Sequence, residues 1–314
     1  MVRFLAGCFS TAGPSSAKGG SPQYLAALVL FVFLDALCYP LITLGLQSAP
    51  HLTFAFLRAL IAGCALGLLV LVLKRPIPRG AGVWLRLGGI GLGTTSLGFA
   101  GMFHASEFVA PGMATIISHT QPFVAAILAF FFLRERLAPL QLFGLVVAFS
   151  GVVVVSIPQL SAGGTIAFAA GLVYLAVATL GVAAGNILTK SLGAKVDPLV
   201  GTAAQLLIGS IPLGIATAIE GHSTAIDWTP KFVAALLGLA LLGSALARSL
   251  WFSILETVPL SQANAFTFLS PFIAVVLGVM FFSESISFAT AAGLVLTTVG
   301  VVFVEHGPRS RYTK

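Results

Sequence analysis

Charged residues make up only 8% of this sequence of 314 residues, whereas a soluble domain carries about 25%. A chain so poor in charge cannot cover a water-facing surface. Cysteine is scarce as well: Cys8, Cys38 and Cys64 are too few and too scattered for a disulfide framework, and the last two lie in apolar runs, where a free thiol behaves as a small hydrophobe. The first twenty residues hold no sustained apolar stretch, which speaks against a cleaved signal peptide. Gly, Ser, Pro and Ala dominate Ser10–Pro22, so residues 1–22 are expected to form a disordered lead-in. Neither a Gly-rich phosphate loop followed by Lys-Ser/Thr nor a His-Glu-x-x-His is found, which argues against an ATPase and against an intramembrane metalloprotease. No cofactor, no metal and no enzymatic activity is expected. The net charge of +7 is spread over short segments between apolar runs and forms no basic stripe, so nucleic acid is not an expected partner.

What the chain has is apolar length. Hydrophobic residues reach 58% and mean hydropathy is +1.06, and the runs are continuous, without the period-two alternation of a membrane barrel. Ten of them approach the roughly 20 residues a helix needs to cross about 30 Å of hydrocarbon. They fall near Tyr24–Leu46, Leu52–Leu73, Trp84–Phe103, Pro111–Leu133, Pro139–Ile157, Thr165–Thr189, Pro198–Ile219, Phe232–Leu255, Ser261–Phe282 and Ser287–Val304. An all-α polytopic membrane protein in contact with the lipid bilayer is expected.

The chain is also duplicated. A shift of about 149 positions lays Gly89–Val155 on Gly238–Val304 with roughly 20 of about 67 positions identical. Apolar composition alone would not align Pro122-Phe123 with Pro271-Phe272, Glu107 with Glu256, Glu135 with Glu284, Gly144 with Gly293 and Gly151 with Gly300. Two five-helix repeats follow, over residues 23–158 and 165–304, with a basic tail at 305–314. Five spans is an odd number, so the second repeat enters the membrane from the opposite side to the first. With the N-terminus inside, Lys231 is the one basic residue on the outer side; Arg58 and Arg248 lie within spans, and every other Lys and Arg falls inside. Both termini are expected to be cytoplasmic, in an inner or plasma membrane. Inverted repeats let a central site open to one face and then to the other, so transport of a small molecule is the leading functional class.

Five plus five spans, the Pro-Phe pair in the fourth and ninth, and the endings Phe132-Leu133-Arg134-Glu135-Arg136-Leu137 and Phe282-Ser283-Glu284-Ser285-Ile286 resemble the drug/metabolite transporter superfamily, EamA-type branch. The resemblance runs from about Tyr24 to Val304. It implies a carrier of amino acids, other metabolites or organic cations, with a cavity lined mainly by helices one, three and four of each half. A sugar-phosphate or nucleotide-sugar exchanger of the same superfamily is the near alternative, although Ser261–Phe282 lacks the Lys-Arg pair that such exchangers tend to place on helix nine. A channel or facilitator is the further one.

Candidate site residues are the polar side chains that the spans hold at depth, where a charge costs several kcal/mol unless paired or hydrated. Asp35 sits near the middle of the first span. It admits a role in binding a substrate ammonium, one in proton coupling, or a structural ion pair with Arg58. Pro40 interrupts the same span and frees backbone carbonyls. His119 and Gln121 precede Pro122, and Asn264 and Thr267 precede Pro271, so the two kinked helices are expected to face each other across a substrate site. Arg248 shares a helix face with Ser244, Trp251 and Leu255; it either snorkels to the inner surface or, with Trp251 as an aromatic wall, binds a substrate carboxylate. Glu107, Glu256, Glu135 and Glu284 read as capping or hinge residues, and Gly63-x-x-x-Gly67 and Gly181-x-x-x-Gly185 as close-packing positions. A monomer or weak homodimer is expected.

Overall fold

A computed structural model describes residues 22–108, 118, 121–133, 138–160, 166–220, 226–267, 269, 270, 273, 276 and 287–306. All secondary structure among these residues is helical. The first span is split into α1 (Pro22–Ala36) and α2 (Cys38–Gly45), and α3 (His51–Val72) follows. The third span is a single rod in which α4 (Ala81–Ile90) passes through a π-helical segment, Gly91–Leu97, into α5 (Gly98–Phe108). Then come α6 (Gln121–Leu133), α7 (Pro139–Leu160), α8 (Ile166–Leu192) and α9 (Pro198–Glu220). The eighth span repeats the pattern of the third, with α10 (Pro230–Leu237), a π-helical segment at Gly238–Leu246 and α11 (Ala247–Thr257). The described chain closes with α12 (Leu260–Thr267) and α13 (Phe288–His306).

Among the described residues, five helical stretches are long and apolar enough to cross a membrane: Ala26–Gly45, His51–Val72, Ala169–Lys195, Pro198–Glu220 and Pro230–Thr257. Large apolar side chains such as Leu71, Val72, Phe131, Phe132 and Ile215 point outward. In water that surface would be costly; in a bilayer it is the surface the solvent selects. The fold is therefore an all-α polytopic membrane fold.

Packing between the halves follows a two-fold rule. Equivalent helices α3 and α9 pack on each other, as do α7 and α13, while α5 packs on α8 in the way that α11 packs on α1. The partners α3 and α9 run antiparallel: His51, which opens α3, approaches Glu220 at the end of α9 at 3.8 Å, and Arg75, just past α3, meets Asp197, just before α9, at 3.2 Å. Two equivalent helices related in this way are exchanged by an axis perpendicular to them, which makes the repeats inverted. Glycines make the closest approaches possible. A Cβ on Gly151 would stand 2.5 Å from the carbonyl oxygen of Gly293, and one on Gly300 would stand 2.5 Å from that of Gly144. The four repeat-matched glycines thus cross in antiparallel register, so the backbones of α7 and α13 touch directly.

Gly181 and Gly185 of α8 receive the π-helical segment of the third span, where Gly93 and Thr94 press against them. Gly63 lies against Leu207, where a Cβ would meet the side chain at 2.9 Å. Gly67, expected to be equally tight, would place a Cβ 3.8 Å from Leu207, an ordinary contact.

Candidate functional site

The first span breaks where its sequence forbids continuation. Pro40 has no N–H to donate to Ala36, and the helix is interrupted at Leu37 before α2 resumes. Asp35 and Cys38 flank this break and, with Phe31 one turn earlier, form one wall of a partly open cavity. Arg58 of α3, Met102 of α5, Ser118 and Gln121 complete the wall contributed by the first repeat. The second repeat supplies Ala178, Thr179, Val182 and Asn186 from α8, Arg248 and Trp251 from α11, and Thr267 from α12. Two couples of lining residues, Met102 with Trp251 and Ser118 with Thr267, occupy equivalent repeat positions. The axis relating the halves therefore passes through the cavity.

Arg58 is 1% exposed, so its guanidinium has to be satisfied by protein. Its Nε donates to Ser244 Oγ at 2.8 Å and its Nη2 to Cys38 Sγ at 3.4 Å, while its plane lies 4.3 Å from the ring centre of Phe99. Nη1 is buried with no hydrogen-bond partner among the described residues. Asp35 accepts a hydrogen bond from Ser270 Oγ at 3.1 Å. The two residues expected to form an ion pair thus line one cavity, with the hydrogen bonds of Arg58 directed to Ser244 and Cys38. Arg248, half-buried, also lines the cavity.

Trp251 is held on two sides. Its Nε1 donates to Asn186 Oδ1 at 3.0 Å, and its ring stacks on Phe31 with centroids 4.7 Å apart. A rigid indole at this point joins α11 to α1 and α8, so the aromatic wall is built across the repeat boundary. Gln121 lines the cavity, and its buried Nε2 has no hydrogen-bond partner among the described residues. Thr267 reaches the cavity from α12; its hydroxyl donates back to the Asn264 carbonyl at 2.7 Å. Asn264 is not among the lining residues: its side chain is fully buried, and neither Nδ2 nor Oδ1 has a partner among the described residues. His119 and Pro271 lie outside the described residues, as do Glu135 and Glu284, and Pro122 is described only as part of the first turn of α6.

Thr179, Asn186, Cys38, Phe31 and Met102 were not anticipated as lining residues. The sequence did carry a signal for Asn186: an amide inside an apolar span is expensive and needs a partner there.

Comparison with known proteins places this geometry. The model of the EamA-like transporter family matches residues 23–157 and 169–305. An uncharacterized transporter of Bacillus subtilis is 28% identical over 90% of this chain and 92% of its own length. The protein PecM of Dickeya dadantii is 30% identical over 85% of this chain and 87% of its own. A probable amino-acid metabolite efflux pump of Salmonella typhimurium is 30% identical over 92% and 96% respectively. A protein of known crystal structure shares the fold with a TM-score of 0.72 at 17% identity, covering 89% of this chain and 97% of that one.

Proposed function

The chain belongs to the EamA-like transporter family, and from that membership we propose that it is a secondary-active exporter of small zwitterionic metabolites such as amino acids. The observation that supports the reading is one cavity bordered by opposite charges from opposite repeats, Asp35 on the first and Arg248 on the second. An amino acid carries an ammonium and a carboxylate on one carbon, and a charge-assisted hydrogen bond at each end fixes its orientation. Trp251 covers the apolar side chain of the substrate, and the unpaired amide of Gln121 serves its polar atoms. The relative that is a probable amino-acid metabolite efflux pump adds weight to amino-acid chemistry.

Export proceeds by alternating access. Each half can adopt the conformation of the other, so the cavity on the axis between them opens to the two faces in turn. The distribution of basic residues supports cytoplasmic termini in a cell-membrane protein. Reconstituted vesicles test the reading with counterflow of labelled amino acids, organic cations and sugar phosphates, with and without a pH gradient. Saturable amino-acid flux with a KM that Arg248→Gln raises is the expected result. Flux proportional to concentration over a wide range would make the protein a channel, and saturable sugar-phosphate exchange would make it the rival carrier.

A further inference from the structure

We propose a binding site for a divalent transition-metal ion at the end of the bundle where α3 begins and α9 ends, with His51, His104 and Glu107 as ligands. His104 and Glu107 are three residues apart on α5 and so share a face, and His51 is delivered to them by the first residue of α3. One ligand atom from each of the three lies within 4.8 Å of the others. The side chains are already linked without an ion: His51 Nδ1 is 2.6 Å from Glu107 Oε1, and His51 Nε2 is 2.9 Å from His104 Nδ1. Ligands around a tetrahedral ion bonded at about 2.0–2.1 Å stand roughly 3.3 Å apart; the two contacts use different nitrogens of His51, of which an ion takes one, so binding turns the imidazole and draws together ligand atoms that now lie within 4.8 Å of one another.

The surroundings suit a cation. Glu220 of α9 brings a second carboxylate to 3.8 Å from His51 Nε2, and two carboxylates with two neutral imidazoles balance a double positive charge. His104 is held from behind: its ring packs 4.4 Å from that of Tyr174, which stacks on Phe108 at 5.9 Å. A supported ligand ring loses little freedom when the metal arrives. His51 is buried at 7% exposure while the Glu107 side chain is 45% exposed, which gives the ion a dry floor and a wet entrance where water completes its coordination. Imidazole and carboxylate donors together favour Zn²⁺, Co²⁺ or Ni²⁺ over Mg²⁺ and Ca²⁺. Three ligands come from the first repeat and Glu220 from the second, so a bound ion draws the two halves together at this end.

The test uses the full chain in detergent, with any purification tag removed, titrated with Co²⁺ and then with Zn²⁺. One Co²⁺ per chain, with visible absorption bands of four- or five-coordinate cobalt that Zn²⁺ displaces, is expected. His104→Gln and Glu107→Gln should each weaken Zn²⁺ binding by about 100-fold, and Glu220→Gln by about 10-fold. Size-exclusion profiles and metal-free melting temperatures establish that the variants are folded, and if His104→Gln does not fold, the unmodified chain and Glu107→Gln decide. Failure of the unmodified chain to bind Co²⁺ at one equivalent overturns the site. So does Zn²⁺ affinity that folded His104→Gln and Glu107→Gln leave unchanged, because the ion then sits elsewhere.

Discussion

The two halves of this protein share a backbone plan and differ in the chemistry they bring to the axis. Both have a π-helical segment in the third helix of the repeat, Gly91–Leu97 in one and Gly238–Leu246 in the other. Such a segment shifts the register of the helix beyond it and is common at functional sites. Beyond it, position 99 carries a phenylalanine and its mate, position 248, an arginine; position 102 carries a methionine and position 251 a tryptophan. Phe99 is used internally, as a surface for Arg58, whereas Arg248 is turned to the cavity. Duplication thus supplied a symmetric scaffold, and substitution at matched positions made the cavity lining asymmetric, with Trp251 and Arg248 on one side where the other repeat has Met102 and Phe99.

Copying one half into the other breaks this asymmetry in graded steps. The seam is the harshest place to begin. Gly151→Val puts side-chain atoms into the backbone of Gly293, and no neighbouring rotamer can relieve a clash with backbone; we expect loss of monodisperse protein on size exclusion. Gly67→Ala, in the more open position, should leave the elution profile and melting temperature unchanged. Next comes Arg58→Leu, which replaces a buried cation with an apolar side chain. It leaves the Ser244 hydroxyl without its guanidinium partner and should cost about 1–3 kcal/mol, read as a fall in detergent melting temperature. Asp35→Asn should by comparison melt close to the unmodified protein yet fail in amino-acid counterflow. A comparable melting loss in Asp35→Asn, partly restored by Arg58→Gln, would instead identify a structural ion pair.

Arg248→Phe, which copies Phe99, tests the binding chemistry itself. Losing a charge-assisted hydrogen bond of about 1.5–3 kcal/mol should raise the KM for a zwitterion by roughly 10- to 100-fold with little change in melting temperature. Organic cations without a carboxylate should be affected far less, and equal effects on both substrates would remove Arg248 from substrate recognition. The mildest copy is Thr267→Ser, after Ser118. It deletes one methyl group at the cavity wall, worth about 1 kcal/mol or less, and should shift KM by no more than about five-fold in the same counterflow assay.

How much of this was legible in the sequence depends on the kind of signal. The span from Pro198 ends at Glu220 where Ile219 was expected, and the span from Pro139 ends at Leu160 where Ile157 was expected; continuous apolar length needs no partner to be recognised. Arg58, Asp35, Arg248 and Trp251 stood out because polar or amphipathic residues are costly inside lipid. The facing of individual residues was hidden. When a span is apolar all round, no amphipathic stripe separates the side that meets a cavity from the side that meets another helix, so Phe31 and Thr179 did not stand out and Asn264 read as lining. The π-helical segments were hidden too, since a local change of register is set by what packs against it, as the glycines of α8 and α9 do on Gly91–Leu97. The cluster of His51, His104 and Glu107 joins helices 53 residues apart in sequence, and only the packed bundle brings them together.

The crossing of α7 and α13 has one more consequence. Gly144 meets Gly300 and Gly151 meets Gly293, so each repeat position faces the other member of its set, as in the isologous interface of a two-fold homodimer. Within one covalent chain, that seam still obeys the rule of self-complementarity: a bulky residue accepted in one copy must be accommodated by the other copy of the same surface. The cavity is released from the rule, because each wall there faces open space and not its own duplicate. Fusion of the two copies thus divides the molecule into a part where matched positions remain tied and a part where they can diverge. The paired glycines and the Phe99/Arg248 mismatch are the two sides of that division.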